Sequence, residues 1–500
     1  MNNKWIKDRI FYQIYPSSFK DSNQDGRGDL VGIIQKIPYL LDLGINALWI
    51  NPIFTSPMMD GGYDIVDYFQ IDPRFGTMQD FNNLIKVAKK KQLRVILDLV
   101  CGHTSEQHPN FIKSSQANRN FESDSYIWSN HWFESPNDYK FISGRYERNG
   151  NYLVNFFSTQ PALNYGFQQI DHPQWQISYL DPRAEKNYHR LIKIIQFWLN
   201  KGIDGFRVDM ADSLVKNDPQ KQATCWLWRK IFSELRPKYP EAVFISEWSH
   251  CQALNEAGFD VDFMLDHSWN PYSRLLRLEK HGQPSVFNPQ GGDLGKFIDE
   301  YLNWYQQIKG HGLIGNISGN HDFERLCPQY SQEQCKIIIA FLLCLPGVPF
   351  IYYGDEIGLK YLKNLKSFEG AYTRTGSRTP MKWNNQKFYG FSETKPLIPL
   401  EKGTNCVDQQ IKDPNSLLNT IKRMIEFRKS SKDLIGEEIE FLTRDYPITM
   451  KRNNLIIIVN PLKSDLKINI DLTNLKLVTL IGKVTKTLIA TNSLAIYQAI

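Results

Sequence analysis

Short apolar runs recur along the chain at residues 10–15, 47–53, 94–100, 205–210, 242–248, 262–266, 312–318 and 349–353, each followed by a stretch with a helical pattern. Runs alternating with helices in this way predict an α/β fold, a closed parallel (β/α)8 barrel of the TIM type. About a hundred residues separate the third run from the fourth, where ~2–6 serve an ordinary βα loop. Residues 102–180 are aromatic, rich in Asn and Ser and poor in helical period, which predicts a small domain inserted after strand 3. Residues 414–429 carry Leu417, Leu418, Ile421, Met424 and Ile425 at amphipathic spacing and read as the helix that closes the barrel. Beyond them, 438–442, 455–459, 466–470, 477–481 and 494–497 are strand candidates separated by turn residues, which predicts a terminal antiparallel β domain. The expected division is a barrel over 1–101 and 181–431, an inserted domain over 102–180 and a C-terminal domain over 432–500.

In such a barrel, functional groups gather at the C-terminal ends of the strands. Here those ends read Asn51, Asp98 with His103, Asp209, Glu247, Asp266, His321-Asp322 and Asp355-Glu356. In Gly205-Phe206-Arg207-Val208-Asp209-Met210, strand alternation sends Gly205, Arg207 and Asp209 to one face and Phe206 and Val208 to the other. The preceding Lys201-Gly202-Ile203-Asp204 is where a helix must stop. A guanidinium beside a carboxylate favours the ionised form, which suits a nucleophile. Alone, the pair reads as a structural ion pair at the end of a core strand; the later strand ends change that reading. Glu247 stands beside Trp248, and an apolar neighbour raises a carboxyl's pKa, so Glu247 reads as a proton donor. Asp322 ends Ser318-Gly319-Asn320-His321-Asp322. An ionised acid, a protonated one and a third nearby match two-carboxylate cleavage of a glycosidic bond.

Near the start, Asp21-Ser22-Asn23-Gln24-Asp25-Gly26-Arg27-Gly28-Asp29 sets oxygen side chains at alternate positions among glycines, like the first half of a calcium loop. The glutamate that ends an EF-hand is missing, and Asp29 is placed to close the shell.

Composition narrows the partners. A chain of 500 residues exceeds one ordinary core and suits a large domain with smaller ones. A net charge of +6 over this length, with no long Lys/Arg block, gives no sign of a nucleic-acid partner. The aromatic share of 13% suits both core packing and the apolar faces of sugar rings. Seven cysteines with no CxxC pair read as buried free thiols of a reducing compartment, not as a disulfide framework or a zinc site. The first eight residues lack the apolar segment of a secretion signal. No apolar run is long enough to cross a bilayer, so a cytoplasmic protein with no membrane partner is expected.

Several stretches together carry a resemblance: Phe11-Tyr12-Gln13-Ile14-Tyr15-Pro16, the loop 21–29, Gly62-Tyr63-Asp64, 98–103, 205–209, Glu247, Asn320-His321-Asp322, 347–356 and Arg378-Thr379-Pro380-Met381-Lys382-Trp383. In that order, from about residue 5 to 430, the sequence resembles the alpha-amylase family (glycoside hydrolase family thirteen), nearest its oligo-1,6-glucosidase and alpha-glucosidase branch. The resemblance implies a retaining, exo-acting alpha-glucosidase that hydrolyses short oligosaccharides through a covalent glycosyl-enzyme. It implies Asp209 as nucleophile, Glu247 as general acid and then base, and Asp322 as the residue that grips sugar hydroxyls and stabilises the transition state. Tyr63 would stack on the sugar ring, with Asp64, His103, Arg207, His321 and Arg374 hydrogen-bonding its hydroxyls or the nucleophile. Asp64 and Arg374 on the distal hydroxyls would make the pocket blind-ended. One structural Ca2+, or Mg2+ in its place, would sit on Asp21, Asn23, Asp25, the Arg27 carbonyl and Asp29.

Departures bound these implications. Gly102 stands where the family usually has asparagine, and Ala162 where it usually has aspartate in Gln160-Pro161-Ala162-Leu163-Asn164. Both remove side chains tied in amylases to a second calcium, which is therefore not expected. Met210 follows the nucleophile where the branch often carries valine or alanine, leaving α-1,6 against α-1,4 preference open. The rival readings are a transglucosylase or isomerase, and a trehalose-6-phosphate hydrolase using Arg274, Arg277 and Lys280. A non-catalytic sugar-binding barrel is the rival of another class; such proteins carry a membrane span and usually lose the acids. A monomer or weak homo-oligomer is expected.

Overall fold

A computed structural model of the chain describes residues 4–267 and 269–500, so Met1–Asn3 of the amino-terminal stretch and Ser268 lie outside the description. Its centre is a closed parallel barrel of β1 Phe11–Ile14, β2 Ala47–Ile50, β3 Arg94–Val100, β4 Gly205–Asp209, β5 Val243–Ser246, β6 Val261–Phe263, β7 Leu313–Ile317 and β8 Val348–Tyr352, each paired with its neighbours in chain order. All eight lie within or overlap the apolar runs read from the sequence. Every residue of β1, β2 and β4 to β8 is buried, as a sheet covered on both faces requires.

Local chemistry marks the helix ends. Met78–Lys90 begins with a capping box in which Thr77 and Asp80 satisfy each other's backbone N–H, and ends on Lys89 and Lys90. Pro182–Lys201 opens on the Asp181 cap with proline in its first turn and closes on Gly202 at φ +97°. That is the expected stop before β4. Gly205 then starts β4 at φ +155°, with so little room that a Cβ there would lie 2.0 Å from the Val243 carbonyl oxygen of β5. Inside the barrel, Trp49 stacks on Phe263 at 5.3 Å and Phe11 on Phe350 at 4.5 Å, an aromatic layer beneath the C-terminal strand ends. The helix Leu417–Ser430 packs on Gln332–Cys344 and closes the ring of helices.

The segment between β3 and β4 holds the short helix Pro109–Ser114 and an antiparallel pair, Phe141–Ile142 with Tyr152–Leu153. Its aromatic richness is spent on two small cores of its own. One gathers Phe111, Tyr126, Trp128, Tyr152 and Val154, and the other Ile127, Leu153, Ala162 and Phe167.

The C-terminal sheet is antiparallel in the order Glu440–Phe441, Ile448–Arg452, Leu455–Asn460, Ser493–Ala499, Leu475–Ile481. Ile448–Arg452 was not among the expected strands, because Pro447 and two basic residues mask its apolar face. Arg452 is fully buried and donates to the carbonyls of Leu434, Gly436, Glu438 and Cys344, which pins the sheet to the ends of barrel helices. The candidate 466–470 is shorter than expected: Leu466–Lys467 pairs with Leu488–Ile489. Six of the seven cysteines are buried, while Cys251 is half-buried. Among the described residues no helix is long and apolar enough to cross a membrane.

Gly205→Ala should therefore destabilise the fold by roughly 3 kcal/mol or more, since backbone rather than a yielding side chain meets the new methyl. Soluble yield and the thermal midpoint by circular dichroism measure it, and an unchanged midpoint would contradict the close approach of β4 to β5.

Candidate active site

The site is built around one guanidinium. On β4, Arg207 Nη1 donates to Asp98 Oδ1 at 2.6 Å and Asp209 Oδ1 at 2.9 Å, with the Tyr63 hydroxyl at 3.4 Å, while Nη2 pairs with Glu247 Oε1. Strand register places these partners. Asp98 on β3 lies opposite Arg207, Asp209 shares the Arg207 face of β4, and Glu247 follows the Ser246 that pairs with Val208. Glu247 Oε2 also accepts the Met210 N–H at 3.0 Å, so the carboxyl is held at both oxygens. Trp49 on β2 donates its indole N–H to Asp98 Oδ2 at 2.7 Å, joining the aromatic layer to the polar cluster above it.

Burial raises the pKa of each of these acids and Arg207 opposes the rise. Asp98 reaches about 6, Asp209 about 7 and Glu247 about 8. The expected ionised Asp209 is thus less acidic than its arginine neighbour alone suggests, because desolvation outweighs that neighbour. The order nevertheless leaves the more tightly held proton on Glu247. Asp322 goes the other way: burial would raise it, but the His321 ring N–H and the Arg374 and Arg378 guanidinium groups together hold it well below the ordinary carboxylate range. His321 is itself kept neutral by burial. Gln13 Nε2 lies 3.0 Å from His321 Nδ1, so Nε2 carries the hydrogen, 3.2 Å from Asp322 Oδ2.

These groups face a cavity of about 420 Å³. Of the residues expected at the site, Tyr63, His103, Asp209, Glu247, His321, Asp322 and Arg374 line it, and Arg207 stands directly behind. Tyr63 and His321 lie ring to ring at 5.2 Å and 2°. His103 lines the wall but spends both ring nitrogens on protein, Nε2 on the Tyr63 carbonyl and Nδ1 on the Asn155 amide, each at 3.1 Å. Its ring is satisfied, unlike the sugar-binding histidine expected.

Asp64 requires correction. It turns away from the cavity and accepts Ser56 Oγ at 2.9 Å, Met59 N–H at 2.9 Å and Asp60 N–H at 3.1 Å, serving the loop's own geometry. Asp60 takes the place expected of it. Arg374 donates to Asp60 Oδ1 at 2.5 Å and to Asp322 Oδ1 at 2.7 Å, forming a bridge across the cavity. Both acids precede or follow Tyr63 closely in sequence; Gly61 at φ +58° and Gly62 at φ +98° turn the chain so that the earlier one points inward. Sequence reading also missed Phe156, Asp212, His267, Trp269 and Phe323, which also line the cavity and carry no periodic signal. At Gly102 the space for a side chain is filled: a Cβ would lie 2.7 Å from Asn155 Nδ2, and Asn155 Oδ1 accepts Lys216 Nζ at 2.7 Å.

The loop 21–29 is closed on itself. Asp21 accepts the N–H groups of Asn23, Gln24 and Gly26 and the Ser392 hydroxyl, while Asp29 accepts Ser22 through its N–H and hydroxyl and caps the helix Leu30–Asp42 through Gly32 N–H. Asn23 and Asp25 accept the N–H of the second residue after each. The donors are hard oxygens suited in kind to Ca2+ or Mg2+. As arranged, they are engaged by the backbone, and no group of three or more His, Cys, Asp or Glu among the described residues could hold a metal ion.

Comparison with known proteins places this geometry. The family model described as "Alpha amylase, catalytic domain" matches residues 13–437. The chain is 32% identical to "Alpha-amylase 3" of Dictyoglomus thermophilum, covering 92% of this chain and 86% of that protein. It is 30% identical to the "Glucan 1,6-alpha-glucosidase" of Streptococcus pneumoniae, covering 88% of each. Among solved structures, an isomaltulose synthase mutant of Erwinia rhapontici NX5 in complex with sucrose superposes with a TM-score of 0.82 at 26% identity, covering 99% of each chain.

Asp209 and Glu247 share a guanidinium, so their protons should leave in two steps that belong to the pair, near about 7 and then about 8. The carboxylic-acid C=O band in infrared difference spectra should fall in steps as pH rises through that range, and Glu247→Gln should abolish the highest step. A spectrum with no such band above pH of roughly 6 would contradict the burial argument.

Proposed function

The chain belongs to the alpha-amylase family, and from that premise we propose that it is a retaining, exo-acting alpha-glucosidase of short oligosaccharides. The observation that carries this reading is the single Arg207 guanidinium that holds Asp209 and Glu247 side by side in the cavity wall. Retention needs the two carboxyl groups ~5–5.5 Å apart, and two acids gripped by one guanidinium suit that spacing.

In this mechanism the sugar enters with its ring against Tyr63. Asp209 attacks the anomeric carbon while Glu247 protonates the departing glycosidic oxygen, leaving a glycosyl ester on Asp209 and a carboxylate at Glu247. That carboxylate then takes a proton from water, which attacks the ester and releases sugar of unchanged anomeric form. Asp322, held anionic by Arg374 and Arg378, grips ring hydroxyls and offsets positive charge that develops on the ring. The Arg374 bridge from Asp60 to Asp322 closes one side of the cavity, which supports action on chain ends.

The cavity wall carries Asp60, Asp209, Asp212, Glu247 and Asp322 against Arg374 as the cation, which favours a neutral sugar over a phosphorylated one. Arg274 pairs with Glu300, Lys280 pairs with Asp266, and neither they nor Arg277 line the cavity. Transfer of the glucosyl unit to a second sugar is the second reading, favoured by the likeness to the isomaltulose synthase. For the loop 21–29, one Ca2+ on the carboxylates of Asp21, Asp25 and Asp29 with Asn23 and the Arg27 carbonyl would require those carboxylates to give up backbone N–H groups they accept here; its role would be to stiffen the loop.

Asp209→Asn should lower turnover of an aryl alpha-glucoside by ~10⁴-fold or more with an unchanged circular dichroism spectrum; near wild-type turnover would remove Asp209 as nucleophile. Proton NMR of maltose and isomaltose reactions should show α-glucose first, whereas β-glucose would rule out retention, and new disaccharides as the main product would establish transfer. A chelator should lower the thermal midpoint while leaving kcat within about twofold, since the loop holds no reacting group; an unchanged midpoint counts against the cation.

A further inference from the structure

Glu369 is buried at a junction that the reaction does not explain. It sits in the long loop after β8, five residues before Arg374, and its side chain is 3% exposed. Three donors from two other segments converge on its carboxylate: Tyr15 hydroxyl at 2.9 Å, Ser17 hydroxyl at 3.0 Å and Arg27 Nη1 at 2.5 Å. Tyr15 and Ser17 follow β1, and Arg27 belongs to the loop 21–29.

The backbone at the same residue does a second task. Glu369 lies at φ +49° and Gly370 at φ +66°, conformations that a side-chain-bearing residue adopts only when its surroundings hold it there. This turn is pressed against the loop that carries Asp60. The Glu369 carbonyl accepts Gly61 N–H at 2.6 Å, and a Cβ on Gly370 would lie 1.7 Å from the Met59 carbonyl oxygen. A Cβ on Gly61 would lie 2.4 Å from Arg378 Nη1, whose guanidinium also reaches Asp322. The carboxylate holds the turn, the turn holds residues 59–61, and these set Asp60 against Arg374.

We propose that Glu369 is a positioning residue that sets the Asp60–Arg374 wall of the cavity, using Arg27 of the loop 21–29 as its outer anchor. The inference rests on the reading of that wall as the part that binds the sugar's hydroxyls. Asp209 and Glu247 hang from Arg207 on other strands, so Glu369 governs how tightly the sugar is held rather than how fast its bond breaks. An interaction made equally in ground and transition states appears in KM and not in kcat.

Glu369→Gln tests this, because an amide offers one acceptor oxygen and turns an NH2 group toward donors that need an acceptor. KM for an aryl alpha-glucoside should rise roughly tenfold with kcat within about threefold, the size expected when hydrogen bonds to a buried charge are lost. Glucose affinity by calorimetry should fall by the same factor. Since Glu369 acts through Asp60, Asp60→Asn with Glu369→Gln should bind glucose within about twofold of Asp60→Asn alone. Should Glu369→Gln fail to fold, Arg27→Met removes the outer anchor from a partly exposed site and should weaken glucose binding roughly threefold. Wild-type glucose affinity in the folded variant, or additive losses in the double variant, would overturn the proposal. Glucose binding that follows the predicted pattern in a protein that cleaves no alpha-glucoside would instead sink the glucosidase reading and leave this one standing.

Discussion

One guanidinium decides the geometry of this molecule's reactive end. Arg207 is buried beside three carboxylates, Asp98, Asp209 and Glu247, and without it their mutual repulsion in a desolvated site would force them apart or protonated. Its planar fork can meet several oxygens at once, which a lysine's point charge cannot do with fixed geometry. The barrel is what allows that fork to be reached. Only strand ends converging on one axis bring side chains from β3, β4 and the residue after β5 within a few ångströms, and only the aromatic layer of Trp49, Phe263 and Phe350 keeps water from replacing the contacts from below.

Burial and charge together then set the proton affinity of each acid. Asp209 and Glu247 share the same cation, so the arginine alone would not distinguish them; burial and repulsion raise both, and Glu247, the weaker acid to begin with, keeps the higher proton affinity. Asp322, the least buried of the three, is held ionised because Arg374 and Arg378 both reach its Oδ1. The same counting of charges bears on the proposed substrate. A wall of carboxylates with neutral histidines would repel phosphate and suit hydroxyl groups, which can donate to every oxygen it presents.

The parts that shape the cavity are loops, and they are stiff for identifiable reasons. The insertion between β3 and β4 has aromatic cores of its own and reaches the site through Phe156 and through Asn155, which meets His103 on one side and Lys216 on the other. The loop after β8 carries Arg374, Arg378 and Glu369 and is tied back to β1 and the loop 21–29 by buried hydrogen bonds. The C-terminal sheet is remote from this chemistry and is joined to the barrel by Arg452, whose hydrogen bonds end on backbone carbonyls.

The barrel, the three acids and the Arg207–Asp209 pair were legible in the residues alone, because strand period, helix-stopping glycine and strand-end polarity are local signals. A strand's alternation already places Arg207 and Asp209 on one face, whatever the rest of the chain does. Which of Asp60 and Asp64 faces the cavity was not legible. Two acids four residues apart look alike until Gly61 and Gly62 fix the turn and Arg374, more than three hundred residues away, selects one. Nor could the pattern show that His103 is satisfied by Asn155, or that burial lifts Asp209 against its arginine, since both depend on what surrounds a group in space. Sequence therefore determined the scaffold and the chemical types at its mouth; tertiary structure decided the direction and proton affinity of each, because contacts between distant segments and the exclusion of water exist only after folding.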